Sequence, residues 1–464
     1  MREKTLSYIS LTLSRKSSLA FILIFTSIVV FDSTIVEFSS YSGVEIPISV
    51  NIAIFIVFSV IFVLSSAALL LSVRKSISLT YARKAGLPGL KYVHGIMIGI
   101  QIFTVAMILT IVFQMLIINE YSLVLLSVQT YLSHLSALVF LSFLVFLFGG
   151  WSISKRSYTI ILYTIAFSLA CINLAVSLVY LESYFTSALI GNVKPYSIVS
   201  YVTNFGGMPI TESLSIVFDA LSLSSFLLMW IASAIFLSQY RHKMGRIKYF
   251  SLMSIPLLYY IFPLQGYFGD IFFSLLQFSP VSYTITYILI FSATKQVGAV
   301  LFSLAFWAAS ALVYDNRIRK SLLISSIGMA ILFGTFEIAP LQYHVYPPYG
   351  FITQAFIPLG AYLLLVGIFS SAKVISRDSE LRKEFYKSAA SQLSLLKTIG
   401  VSQMEKELEE QVKSIEGKVS TLPSEIMDDV PELEEENVQE ILHDVLNELY
   451  YSKGKKEMHN STNG

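Results

Sequence analysis

Apolar residues fill the first 372 positions in ten long blocks separated by short polar intervals. The blocks lie near 18–38, 48–73, 93–118, 123–150, 158–181, 213–239, 249–266, 297–314, 321–339 and 350–372. A helix needs about 20 residues to cross a hydrocarbon core of roughly 30 Å. Each block therefore reads as a membrane span, and residues 1–372 read as one all-α, polytopic transmembrane helical bundle. After Lys373 the pattern changes. Leu381, Phe385, Ala389, Leu393, Leu396 and Ile399 share one helical face, and a second stripe runs through Met404, Leu408, Val412, Ile415 and Val419. Residues 373–420 thus read as a juxtamembrane helix with a short coiled-coil-like portion. Residues 421–436 form an acidic linker. Residues 437–451 form an amphipathic helix with Val438, Ile441, Leu442 and Val445 on its apolar stripe, and 452–464 read as a disordered tail.

Charge gives this layout a direction. Only 13% of the chain is charged, against about 25% in soluble proteins, and the last 92 residues hold 31 of the 62 charges. Placing the N-terminus in the cytoplasm puts 18 Lys and Arg in the inner segments 1–16, 74–91, 151–157, 240–248 and 315–320, and leaves only Lys194 and Lys295 outside. Cytoplasmic loops carry such an excess. An even number of spans then returns the acidic tail to the cytoplasm, so both termini of this multi-pass cell-membrane protein are expected there. Arg2, Lys4, Arg15 and Lys16 ahead of the first block resemble the start of a signal peptide. The block continues through DSTIVEF without a small-residue cleavage site, which favours an uncleaved helix. Cys171 is the single cysteine, so a disulfide framework and a multi-cysteine metal site are excluded. No cofactor and no nucleic-acid partner are expected.

Two stretches depart from a plain ten-span pattern. Residues 266–296 hold two apolar pieces, 271–279 and 281–292, broken at Pro280. They fit either an interfacial helix followed by an extended eighth span, or a re-entrant hairpin shielded by protein. The basic loops also repeat in kind: ARKAGLPGLKYVHG matches YRHKMGRIKYFS, and WSISKRSYTII matches YDNRIRKSLLI. Spans two to five would then correspond to spans six to nine as a 4+4 parallel repeat.

Ionisable groups inside spans are costly, so they are functional candidates. Asp32, His134 and Asp219 lie within apolar blocks, and Asp270 lies near Pro280; together they form the candidate ligand or ion site. Nine acidic residues fall on the expected outer side, which suits cations, although carboxylates at helix ends are also simply solvated. His134 fits either a neutral interhelical hydrogen bond or a proton relay. Tyr343, His344 and Tyr346 in IAPLQYHVYPPYG are a candidate aromatic cap over an outer pocket, or part of the interfacial aromatic belt. Gly95 and Gly99 form a GxxxG packing signal. Leu381, Phe385 and Leu393 are the candidate coupling helix, expected to continue the last span with a bend at Pro358. GYFGD at 266–270 lacks the spacing of an intramembrane aspartyl protease, and topology separates Asp270 from Asp315. No nucleophile elbow, HExxH or P-loop is present in the sequence, so no enzyme activity is expected.

The stretches FGTFEIAPLQYHVYPPYG and GAYLLLVGIFSSAKVISRDSELRKEF resemble uncharacterised polytopic membrane proteins from archaea. The resemblance implies a multi-span bundle and no activity. The layout is also similar to the input half of membrane sensor kinases, without their catalytic half. Two functions follow as expectations. One is a sensor or scaffold coupling an outer cue to a cytoplasmic protein partner, or to self-association, through 381–449. The other is a secondary transporter or channel for a cation or small solute using the outer carboxylates. In either case the lipid bilayer is the surrounding partner.

Overall fold

The computed structural model describes residues 14–41, 47–76, 88–118, 120–155, 157–190, 209–238, 241–261, 293–335, 347–378 and 391–419, with isolated positions between 279 and 286. All regular structure among them is helical. The helices are α1 (Arg15–Tyr41), α2 (Ile48–Ser76), α3 (Pro88–Ile118), α4 (Leu123–Ser154), α5 (Tyr158–Ile190), α6 (Pro209–Leu237), α7 (Arg241–Met244), α8 (Arg246–Ser254), α9 (Thr294–Leu312), α10 (Asn316–Thr335), α11 (Tyr349–Ala355), α12 (Ile357–Arg377) and α13 (Ser391–Val419). The chain forms two units, Met1–Glu405 and Lys406–Gly464. The second is described over 406–419, where Glu409 and Lys413 pair at 3.2 Å one turn apart.

Among the described residues eight helical segments are long and apolar enough to cross a membrane: α2 to α6, α9, α10 and the α11–α12 pair. The first block of the sequence lies in the 27-residue α1, whose length suits a span but which carries Arg15, Lys16 and Asp32. The seventh block differs from a simple helix. The nine-residue α8 passes into a 3-10 turn at Ile255–Ile261, because Pro256 has no N–H to continue the α-helical ladder. Its counterpart in the expected repeat, α3, is an unbroken helix of 31 residues. The two halves therefore differ at that pair. Most of 266–296, including Asp270, lies outside the described residues.

Burial ranks the helices. The most apolar window of the α11–α12 span is wholly buried and that of α10 is 89% buried, whereas those of α2 to α6 are 28–44% buried. The α12 helix is the axis of the bundle. It packs on α10, α4, α3 and α11, while α10 also packs on α9, α1 and α2. Leu64, Phe103, Leu109, Phe113, Phe143, Phe146 and Ile172 point outward from the surrounding helices, as lipid-facing side chains do. Lipid is as apolar as leucine, so helices in a membrane associate through close packing and polar links.

Close packing is built into the α10–α12 pair. A Cβ on Gly328 would lie 2.5 Å from the backbone nitrogen of Leu364, one on Gly360 would lie 2.8 Å from that of Leu332, and one on Gly367 would lie 2.6 Å from the Ser321 carbonyl oxygen. As the number on α12 rises the number on α10 falls, so backbones touch along an antiparallel seam. Ser326 adds a polar link, donating to the Ser303 carbonyl of α9 at 2.9 Å. Elsewhere Gly298 of α9 lies under the Phe226 ring of α6. The indole of Trp307 donates to the Arg15 carbonyl at 3.0 Å while the Arg15 guanidinium stacks 4.4 Å above the ring, which fastens the start of α1 to α9. The expected Gly95–Gly99 motif makes no such contact among the described residues, since none of them comes within 4 Å of a Cβ at either position.

The last span is not one continuous helix into the tail. It breaks at Phe356, between α11 and α12, because Pro358 has no N–H to bond back to the Gln354 carbonyl. It ends again at Asp378, which is extended at φ −105°, ψ 105° and accepts from Arg317 at 3.2 Å. Leu381 and Phe385 of the expected coupling helix lie outside the described residues, and Leu393 falls in the separate helix α13.

A matched pair of substitutions tests the seam. Alanine is favoured over glycine in a helix by up to ~1 kcal/mol, so Gly95→Ala should leave thermal stability in detergent unchanged or raised. Gly328→Ala meets backbone that cannot yield and should lower it, with overpacking costing about 1–3 kcal/mol. Equal melting temperatures for the two variants would refute this account of the α10–α12 contact.

Candidate functional site

The bundle has a basic end, carrying Arg74, Lys75, Lys155, Arg246, Arg317 and Arg319, and an opposite end where α2, α6, α9 and α11 begin. Toward the opposite end, α1 delivers Asp32 into the interior, where it is 1% exposed. The apolar run on both sides keeps this stretch helical at depth, so the carboxylate cannot reach water by fraying. Thr353 of α11 donates its hydroxyl to Asp32 Oδ2. Oδ1 has no hydrogen-bond partner among the described residues. Aromatic rings pack between the neighbouring helices. Phe356, at the α11–α12 break, meets Phe25 of α1 edge-on at 5.1 Å and Phe62 of α2 at 4.6 Å. Beside Asp32, Phe31 meets Phe58 at 5.9 Å. Gln296 of α9 donates to the Gly334 carbonyl of α10 at 2.8 Å, close to Phe25, while its own carbonyl oxygen has no partner among the described residues.

A second buried polar seam joins α3 and α4. Gln129 donates to Thr104 and to Ser133, both at 3.0 Å. His134 lies a turn further along α4, fully buried. Its Nδ1 is 2.9 Å from the Thr130 carbonyl, which requires the proton on Nδ1 and leaves Nε2 an acceptor. Toward the basic end of this seam, His94 Nδ1 of α3 is 2.6 Å from the Tyr362 hydroxyl of α12, and the Tyr362 ring stands against Phe140 at 5.7 Å. Interhelical hydrogen bonds of this kind contribute about 0.6 kcal/mol on average. They tie the central helix to a particular rotation.

The basic end holds a third polar cluster. Residues 391–405 of α13 turn back onto the bundle. Gly400 makes this approach feasible, since a Cβ there would lie 2.2 Å from the Ile375 side chain of α12. Leu395, Leu396 and Ile399 are buried. Trp151 donates to Gln403 at 3.3 Å, Ser154 to Glu405 at 2.6 Å, and Lys155 pairs with Glu405 at 2.7 Å. Nearby, Asp315 caps α10 by accepting from the backbone N–H groups of Arg317 and Ile318 at 2.7 and 3.1 Å. Burial would raise its pKa, but the Arg317 side chain, these N–H groups and the guanidinium charge outweigh it and hold the carboxyl below its usual range.

These clusters distribute the expected site residues unequally. Asp32 and His134 are both buried, but Asp32 bonds to Thr353 and His134 to Thr130, and neither bonds to the other. Asp219 is exposed on α6, away from the enclosed position that Asp32 occupies. Asp270, Tyr343, His344, Tyr346, Val438, Ile441, Leu442 and Val445 lie outside the described residues. Lys295, read from sequence as an outer-loop residue, is buried in the first turn of α9. Thr353, Tyr362 and His94 were not singled out by sequence. Threonine and tyrosine are common in spans, and His94 sits beside a basic loop, so only their cross-helix partners distinguish them. Among the described residues no three His, Cys, Asp or Glu side chains gather as a metal site would need.

No protein-family model matches this chain, and comparison with curated proteins and with solved structures gives no match either. The expected resemblance to archaeal membrane proteins is not shown by these comparisons, and no activity comes to these clusters from it.

The Asp315 cap predicts a pH effect. A carboxylate with a depressed folded-state pKa adds stability above its unfolded pKa and loses it as pH falls through the folded value. Asp315→Ala should therefore lower stability by about 1 kcal/mol at neutral pH, the usual worth of such a cap. The deficit should shrink in acid, as measured by thermal unfolding in detergent over a pH series.

Proposed function

We propose that this chain is a non-enzymatic membrane sensor or scaffold that couples the state of the Asp32–Thr353 site to a cytoplasmic helix. The reading places both termini in the cytoplasm, on the strength of the 18 basic residues that gather at one side. It counts α1 and the α8 region as spans, making ten. The basic end then faces the cytoplasm, and Asp32 lies toward the outside.

The observation that carries the reading is the placement of the α11–α12 segment. At one end Thr353 bonds the buried Asp32. At the other, Ile375 seats Gly400 of α13. Between them the segment is enclosed on all sides, locked to α10 by backbone contact and to α3 through His94–Tyr362. An element that touches two sites has the form a relay requires: both sites bias one two-state element. The α13 helix beyond Glu405, together with segment 437–451, supplies the surface for a cytoplasmic protein partner or for self-association.

Hydrogen exchange of the full chain in lipid nanodiscs tests the coupling. Gly400→Val should raise exchange across 391–405 by breaking the seat on Ile375. Asp32→Asn, toward the opposite end of the bundle, should change exchange in the same peptides. Unchanged exchange at 391–405 in the Asp32 variant would overturn the relay.

A second reading, transport of a cation or small solute, is favoured by one feature. The helix break at Phe356–Pro358 sits beside the buried carboxylate, as broken helices do in transporters. Under that reading Asp32→Asn abolishes uptake into vesicles and Gly400→Val leaves it intact.

A further inference from the structure

We propose that Asp32 is a proton-binding site, and that a single proton exchanged at its Oδ1 is the ligand this bundle responds to. This deepens the relay reading by naming what the Asp32–Thr353 site binds.

An ionised carboxylate taken out of water needs a paired charge or a full set of donors; without them it takes up a proton. Asp32 is almost wholly buried, and Thr353 occupies only Oδ2. Oδ1 has no donor among the described residues. The elements packed against α1 carry few groups that could serve. On α9 the one charged residue is Lys295, in the first turn, and Asp32 makes no ion pair with it. On α10 the charges are Arg317, Arg319 and Lys320, at the far end, and α11 carries only Tyr349. Alongside, α2 has no titratable group between Ile48 and Val73. On the same three helices, α1, α2 and α11–α12, the Phe25, Phe62 and Phe356 rings pack against one another.

Coordination number decides between a proton and a metal cation. Hard cations take about six oxygen ligands. Among the described residues the side-chain oxygens in contact come from Asp32 and Thr353, and Gln296 of α9 carries a buried carbonyl oxygen with no hydrogen-bond partner. A proton needs one lone pair, and Oδ1 provides it. On uptake from water, Oδ1 forms the O–H bond and the charge of the carboxylate is cancelled, while Thr353 continues to donate to Oδ2. On release the proton returns to water and the site regains a buried negative charge, whose strongest local contact is the Thr353 hydroxyl of α11. Protonation thus alters the pull on α11, immediately ahead of the break at Phe356.

The test is infrared difference spectroscopy on the full chain in nanodiscs, over a pH series, in potassium and then sodium buffer. A protonated-carboxyl band should be present at low pH and lost as pH rises. It should vanish in Asp32→Asn, shift in Thr353→Val, and be indifferent to sodium. If wild type and Asp32→Asn give the same carboxyl bands at every pH, the proposal is wrong. It is equally wrong if sodium removes the band at constant pH, which would make a metal cation the ligand. Should Asp32→Asn not fold, judged by gel filtration and circular dichroism, the Thr353→Val shift decides, and an unshifted band overturns the assignment. A band that titrates while exchange at 391–405 does not follow pH sinks the relay and leaves the proton site standing.

Discussion

Backbone-to-backbone contact between α10 and α12 is the constraint on which the remaining architecture rests. In a bilayer, moving an apolar side chain from lipid to protein gains little, so helices are held by packing and by polar links rather than by flight from water. Gly328, Gly360 and Gly367 remove the side chains that would keep the two helices apart. The result is an inner pair around which α9, α1, α4 and α3 assemble, with the remaining helices turned toward lipid. An axis packed in this way deforms little internally and moves as a piece.

Several polar links in the interior tie other helices to that axis. Thr353 holds α11 to α1, Tyr362 holds α12 to α3, and Ser326 holds α10 to α9. The costs of burying these groups are met in part: His94 Nδ1 meets Tyr362 and Gln129 Nε2 meets Thr104 and Ser133, while His94 Nε2 and Gln129 Oε1 have no partner among the described residues. Asp32 stands apart because it is an acid with half its acceptor capacity unused, and an acid has a neutral form available to it. At the basic end the tie is of another kind. Glu405 meets Lys155 and Ser154 at a partly solvated surface, where ion pairs are weak, so the seat of Gly400 on Ile375 provides the shape and Glu405 the register.

Much of this was legible in the chain before folding. Ten apolar blocks predicted spans, and among the described residues eight helical segments are of membrane-crossing length and apolarity, because length and apolarity are local properties. Asp32 and His134 stood out because charge and imidazole are rare in such blocks. Other features were illegible for a physical reason. GxxxG at Gly95–Gly99 has the same local form as a packing motif yet meets nothing among the described residues, while the glycines that do pack, 360 and 367 on one helix and 328 on another, are meaningful only in register with each other. The expected continuation of the last span through Phe385 failed at Asp378. A side chain of α10, Arg317, bonds that residue, and no periodicity within the segment encodes a partner 61 residues away.

The sequence by itself determined that this chain is helical and membrane-adapted, where its apolar blocks lie, and how its basic residues divide between loops, since each depends on residues close together in the chain. Tertiary structure alone decided which helix is the axis, which of the acidic candidates is enclosed, and that the juxtamembrane helix folds back onto Ile375. Those outcomes depend on which side chains from distant segments arrive at the same place, and on whether a glycine at that place lets them meet.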